Sequence, residues 1–324
     1  MFYSPLRYPG GKNKLSAFIA RICIDNNING HYVEPYSGGA SVALFLLLEG
    51  FVRKITINDK DRSIYAFWYS VLNKTNQLCE LIENTDITVE EWRKQREVQN
   101  RKKKADLLEL GFSTFFMNRT NRSGIINAGV MGGMEQNGDY LINCRYNKSE
   151  LIQRIKLIAS RKKDIRLYQK DAVKLIDKIQ QEAHNENVVF YFDPPYYLKA
   201  SSLYMNHYKE DNHLDVSNKI KNITNIKWIV SYDNVPEIRE LYSECDKKEF
   251  SFKHTAYKSK LGKEILFFSA ALKQPDIEDW NPLDFKLVKG QIRYKQRKHE
   301  STDFIQTVDD KKNYCQHTPM RIGG

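Results

Sequence analysis

The chain has 324 residues, 41% of them hydrophobic, which is enough for one large mixed core or two smaller ones and far too polar for a bundle of membrane helices. Its longest apolar run, ASVALFLLL at Ala40 to Leu48, is much shorter than the roughly 20 residues that cross a bilayer, and Pro5, Arg7 and Lys12 break up any signal-peptide core at the N-terminus. Lysine and arginine number 51 against 40 acidic residues, a formal charge of +11 that suits a protein meeting a polyanion, and the five cysteines lack C-x-x-C spacing, so a soluble, cytoplasmic protein with reduced thiols and no metal site is expected.

In chain order, a Gly-rich opening is followed by the strand-like YVEPY, the helix-like GASVALFLLLEG and a second strand, KITIND, ending on Asn58 and Asp59. The helix is assigned because good helix formers run without proline until Gly50, a natural stop. Such a β–α–β unit requires a parallel sheet and a right-handed crossover. From about 71 to 150 the character changes. The stretch EEWRKQREVQNRKKKADLLELGFSTFFMNRTNRSGI is charged and helical in pattern, and it leads into the glycine-punctuated NAGVMGGMEQNGDY. Within it, Lys102 to Lys104 reads as a solvated helix face. Alternating elements return from about 151 to 272 in ELIQRIKLIASRKK, IRLYQKD, AVKLIDKIQQEA, VVFYFDPPYY, WIVSYD, VPEIRELYSEC and EILFFSAAL. The expectation is an α/β protein whose one sheet is interrupted by a basic, mainly helical insertion. Residues 273 to 324 have little apolar periodicity and read as an irregular tail.

The chemistry concentrates where predicted strands end. VVFYF is a continuous apolar run, as in a strand buried on both faces, and Asp193 falls at its carboxyl end, where ligand crevices of open α/β sheets form. In VEPYSGGAS, Glu34 ends the first strand and Gly38 and Gly39 precede a helix, letting the backbone turn tightly against a ligand. This is neither a Walker loop nor a full G-x-G-x-x-G fingerprint. Asp59 ends the next strand, where an acidic residue commonly binds ribose hydroxyls; capping of the following helix is the competing reading. Asp193-Pro194-Pro195-Tyr196 can hold a flat amine. A carboxylate and the Pro194 carbonyl, aimed by Pro195, accept the two N–H bonds, and Tyr196 offers a ring to stack on. Asp233, in SYDN, suits either a site wall or a turn support before Pro236.

Seven stretches in this order, RYPGGKNKL, YVEPYSGGASVAL, ITINDKD, FMNRTNRSGI, RYNKSELIQRI, YFDPPYY and IVSYDN, make residues 5 to 270 resemble the Dam-like adenine-specific DNA methyltransferases that use S-adenosylmethionine. The resemblance implies a Rossmann-like methyltransferase sheet over 1–70 and 151–272, and a target-recognition insertion over 71–150. The order of motifs is similar to the alpha arrangement of that family. It implies that Tyr8, Gly10 and Lys12 belong to an N-terminal cofactor motif, with Lys12 near the reacting site. Glu34, Pro35, Tyr36 and Gly38 would lie against the methionine part of the cofactor, Asp59 on its ribose, and Asp171 on its adenine amino group. Asp193, Pro194, Pro195 and Tyr196 would hold the target adenine, flipped from double-stranded DNA, for a metal-independent methyl transfer. Asn118, Arg119, Asn121, Arg122, Arg145 and Tyr146 are the expected DNA contacts. A cognate restriction endonuclease, acting separately, is an expected partner. Ala40 departs from the pattern, standing where many relatives have a third glycine. Methylation of the cytosine amino group and a non-catalytic DNA-binding relative are the competing functions.

Overall fold

A computed structural model describes residues 2–8, 12–183, 187–197, 210–253, 261–270, 272–275, 281–283 and 285. Their strands are β1 (His31–Glu34), β2 (Lys54–Asn58), β3 (Ile165–Tyr168), β4 (Val188–Phe192), β5 (Lys227–Asp233), β6 (Asp246–Lys253) and β7 (Leu261–Phe268). One sheet orders them β3-β2-β1-β4-β5-β7-β6, all parallel except β7, which runs antiparallel to both of its neighbours. The helices are α1 (Ser16–Asp25), α2 (Ser41–Leu48), α3 (Arg62–Asn73), α4 (Thr75–Asn84), α5 (Val89–Asn100), α6 (Leu107–Thr120), α7 (Lys148–Ser160), α8 (Ala172–Glu182), α9 (Glu210–Lys221) and α10 (Pro236–Leu241). This is the α/β, Rossmann-like architecture expected from the alternating pattern. None of the helices among the described residues is long and apolar enough to cross a membrane.

Side-chain alternation explains the burial of the central strands. Val189 and Tyr191 point into one apolar cluster with Tyr32, Ile55 and Ile57, while Val188, Phe190 and Phe192 point into a second with Val33, Trp228 and Val230. The first cluster takes its helical cover from α1 to α4, α6 and α7, and the second from α8, α9 and α10. A strand covered on both faces has no polar side to show, so β4 reads as an unbroken apolar run. Chain direction is set at helix starts by short polar side chains. Asp61, Thr88, Asp106, Asn147 and Asp171 each accept a backbone N–H one turn into α3, α5, α6, α7 and α8.

The strand order reverses between β1 and β4, which lie side by side although their chain connections lead to opposite sides of the sheet. At such a switch point the crossovers diverge and leave a crevice beyond the carboxyl ends of the strands. Glu34 ends β1 and Asp193 follows β4, so both carboxylates stand at that crevice.

The described residues all belong to one compact unit. The insertion is built into that unit. Leu78 and Ile82 of α4 and Phe112, Phe115 and Phe116 of α6 join the same apolar cluster as α2 and the sheet. Lys102 to Lys104 lie in the turn after α5 rather than on a helix face, and Lys102 pairs with Asp61 at 3.3 Å. The start of the irregular tail is packed: Asn26 brackets the Lys273 backbone with two 2.8 Å hydrogen bonds, and Phe285 sets its ring edge-on to Phe18.

Candidate active site

At the tip of β1 the chain turns sharply into α2. Gly38 has a φ of +43°, and a Cβ built there would stand 2.6 Å from the Tyr8 ring, so the turn and the ring close on each other only because residue 38 lacks a side chain. Trp68 Nε1 donates to the Gly38 carbonyl at 2.9 Å and holds the turn from behind. Ala40 is also left-handed, at φ 49° and ψ 32°, so the turn takes that conformation there with a methyl group in place. Asn58, fully buried, links three strand tips: its amide donates to the carbonyls of Pro35 and Lys170 and accepts from the Lys170 N–H at 2.8 Å.

Two carboxylates are aimed by this frame. Glu34 Oε1 accepts from Tyr32 Oη and from the Ala43 N–H, each at 3.0 Å, and burial pushes its carboxyl up to about 8 against the pull of those bonds. Asp59 accepts the Gly38 N–H at 3.1 Å and the Asp61 N–H at 2.9 Å; burial, then the neighbouring Asp61 charge, push it up to about 7. Its backbone bonds join the Gly turn to the start of α3, but the residue that caps that helix is Asp61, which accepts the Ser63 N–H.

A third carboxylate sits in a charged cluster. Asp193 Oδ1 receives Lys12 Nζ at 2.9 Å and Ser231 Oγ at 2.8 Å, while Oδ2 has no partner among the described residues. Lys12 also reaches Glu264 at 3.3 Å and donates to Tyr196 Oη at 3.0 Å, and Tyr196 in turn donates to Glu264. Burial opposes the Lys12 charge, but Asp193 and Glu264 prevail and hold its ammonium well above the usual lysine range. Glu264, 4% exposed, is raised by burial, against the opposing pull of Lys12. Asp233 Oδ1 accepts the Tyr197 N–H at 2.9 Å, which fastens the end of the D-P-P-Y turn to β5.

A crevice of about 780 Å³ runs from Asp59 and Gly38 past Tyr8, Glu34 and Tyr36 to Asp193 and Pro195. Pro35 and Lys12 also line it, so the structure brings together all of the expected cofactor-binding and catalytic residues around one cavity except four. Gly10 lies outside the described residues. Asp171 is spent on capping α8 and on a 3.0 Å pair with Lys60, and it does not line the cavity, though Lys170 and Ala172 do. Pro194 is buried beneath the turn. Tyr196 is 4% exposed with Lys12 Nζ 4.9 Å from its ring centroid, so stacking against a base requires Lys12 to move. Ser231 and Glu264 are partners that the strand pattern did not single out.

The six expected DNA contacts divide. Asn118 is buried and clamps the Arg7 backbone, accepting its N–H and donating to its carbonyl, both at 2.7 Å. Asn121 accepts from Trp92 Nε1 at 2.6 Å and donates to the carbonyls of Ile125 and Ile126. Arg119, buried, donates to the Pro5 carbonyl at 2.7 Å, and burial followed by the Arg154 and Arg7 charges push its guanidinium down to about 9. Tyr146 is buried edge-on against Phe115 and Phe116. Asn121 and Tyr146 thus serve as internal supports, one bonded to backbone and the other enclosed by aromatic rings, whereas Asn118 and Arg119, though bonded to backbone, still line the crevice. Arg122 and Arg145 are exposed, and Arg145 lines the crevice with Arg7 and Arg154.

A likeness to known proteins runs through this same frame. The model of the D12 class N6 adenine-specific DNA methyltransferases matches residues 8–261. Among solved structures, the rRNA methyltransferase aviRa from Streptomyces viridochromogenes aligns over 78% of this chain and 84% of its own, with 10% identity and a TM-score of 0.33. No curated protein matches. With its Gly turn and its D-P-P-Y element inside the matched stretch, this chain belongs to the D12 class N6 adenine-specific DNA methyltransferase family.

Proposed function

We propose that the crevice binds S-adenosylmethionine beyond the ends of β1 and β2 and presents to Asp193 a target adenine extruded from double-stranded DNA. The fit to the cofactor rests on groups that lack donors. Ser37 Oγ and Asn13 Oδ1 are buried without a partner among the described residues, on side chains that line the crevice. Glu34 and Asp59, raised by burial, gain from any ligand that brings hydroxyl or ammonium donors. The Tyr8 ring packs on Gly38, and both line the crevice beside them. When bound, S-adenosylmethionine supplies a methyl group already activated on its sulfonium.

The observation that carries the reading is the state of Asp193. One oxygen is held by Lys12 and Ser231, so the carboxylate is oriented; the other has no partner among the described residues, so it can accept an N–H bond from the adenine amino group. The Pro194 carbonyl, fixed in direction by Pro195, would accept the second N–H. Two acceptors localise the nitrogen lone pair and turn it toward the methyl donor, and the carboxylate offsets the positive charge that grows on nitrogen. The proton then leaves to solvent. Extruding the base costs a few kcal/mol, which Arg145 and its neighbouring cations at the crevice, with the exposed Arg122, would supply through phosphate contacts.

Substitution of Asp193 by Ala tests this directly. Transfer of tritiated methyl groups to DNA should fall by at least about a thousandfold, as when a preorganised charge partner is lost, while S-adenosylhomocysteine still binds in calorimetry. Full transfer by this variant overturns the assignment.

A further inference from the structure

Glu264 lies beyond the residues matched by the family, on the antiparallel strand β7, yet it is buried against the reacting cluster. We propose that Glu264 is a positioning residue that keeps the net charge around Asp193 negative while it anchors Lys12 and Tyr196. The inference rests on the methyl-transfer reading given above.

The argument is one of charge balance. Lys12 and Asp193 alone, 2.9 Å apart, form a neutral pair, and a neutral pair offers little to a cation forming on the adenine nitrogen. Glu264, 3.3 Å from the same ammonium, brings these two carboxylates and one ammonium, counted among the described residues, to a net charge of −1. Its other contact is the hydroxyl of Tyr196, so the same side chain fixes the ring that closes the D-P-P-Y turn. Lys12 lies over that ring, where a stacking base must go, while its contact with Asp193 is to Oδ1 and leaves Oδ2 open. Glu264 gives the ammonium a second carboxylate to stay with when the base displaces it. The charge matters most in the transition state, so its loss should slow the transfer step rather than weaken binding.

The test compares wild-type protein with Glu264→Gln, which keeps the shape and the acceptor for Tyr196 but removes the charge. Single-turnover transfer of tritiated methyl to unmethylated plasmid DNA gives a saturated rate and a half-saturating DNA concentration, and calorimetry gives S-adenosylhomocysteine affinity. The saturated rate should fall by roughly tenfold or more, with both binding constants within about twofold of wild type. Lys12→Gln combined with Glu264→Gln restores the net charge of −1 and should transfer faster than Glu264→Gln alone. A Glu264→Gln rate equal to wild type overturns the inference, as does a double variant slower than either single one, which would mark a packing role. If Glu264→Gln does not fold, Glu264→Asp decides: it retains the charge and should keep most of the rate, and a loss of about tenfold or more in a folded Glu264→Asp overturns the inference. Wild-type protein that transfers no methyl overturns the methylation reading and this inference with it, whereas normal wild-type transfer beside an unaffected Glu264→Gln removes this inference alone.

Discussion

Gly38 and Ala40 occupy left-handed backbone positions two residues apart, yet they answer to different constraints. At Gly38 a methyl group would collide with the Tyr8 ring and would also carry the left-handed penalty of about 1–2 kcal/mol. Gly38→Ala should therefore lower the melting temperature and cut S-adenosylhomocysteine affinity by about tenfold or more, because relief comes only by pushing Tyr8 into the crevice. Unchanged affinity in a calorimetric titration would show that Tyr8 is no part of the cofactor slot. At Ala40 the effects cancel. Substitution by Gly regains about 1–2 kcal/mol of strain but gives up a buried methyl of about 0.8 kcal/mol and about 0.4–1 kcal/mol of unfolded-state restriction. Ala40→Gly should be nearly neutral in a thermal melt, which is why this chain can carry alanine there. Site residues were legible in the sequence where they end apolar runs, as Glu34, Asp59 and Asp193 do. Ser231 and Glu264 were hidden because each lies inside or at the edge of an apolar strand, and its partner is set by sheet order rather than by chain distance.

At the scale of elements, the strands and helices around the switch point were readable because burial on both faces leaves continuous apolar runs. The strand β6, DKKEFSFK, was not, because an edge strand carries charge on its exposed side and shows no apolar run. The helix α9 escaped for a related reason: its inward stripe of His213, Val216, Ser217 and Ile220 is half polar. The stretch MNRTNRSGI misled in the opposite sense. Its amides and Arg119 look like surface groups, but α6 turns them inward, where they accept and donate to the backbone of the N-terminal segment and of the following loop. This difference predicts two kinds of variant. Asn121→Ala strands the Trp92 indole N–H and two carbonyls and should destabilise the fold by about 2–3 kcal/mol in chemical denaturation. Arg122→Ala and Arg145→Ala, on exposed side chains, should leave stability within about 0.5 kcal/mol but reduce the salt dependence of DNA binding by about one phosphate each in anisotropy titrations. An unchanged salt slope in both arginine variants removes this face from the DNA interface.

For the whole molecule, the switch point that creates the crevice also stores protons in it. Glu34 and Asp59 stand at the ends of adjacent parallel strands, desolvated by the layers on either side, and their carboxyls rise to about 8 and about 7 from ordinary values of 4.5 and 3.8. The folded protein therefore binds these protons more tightly than the unfolded chain does. The stabilisation is fully present below the unfolded values and is lost as pH rises through the folded ones. Without cofactor, the melting temperature should fall between pH 5 and pH 8 on the account of these two groups. In the proposed placement, ligand donors reverse the preference, since ribose hydroxyls at Asp59 and an ammonium at Glu34 would favour the ionised carboxylates. The rise in melting temperature produced by a fixed S-adenosylhomocysteine concentration should thus be larger at pH 8 than at pH 6, the pH values that bracket the Asp59 transition. Asp59→Asn, which removes one of the titrating groups, should flatten that dependence. A ligand-induced shift that is constant across this range, with wild type and Asp59→Asn alike, would mean that the crevice carboxylates do not face the cofactor's donors, and the placement of the methyl donor beside β1 and β2 would fall with them.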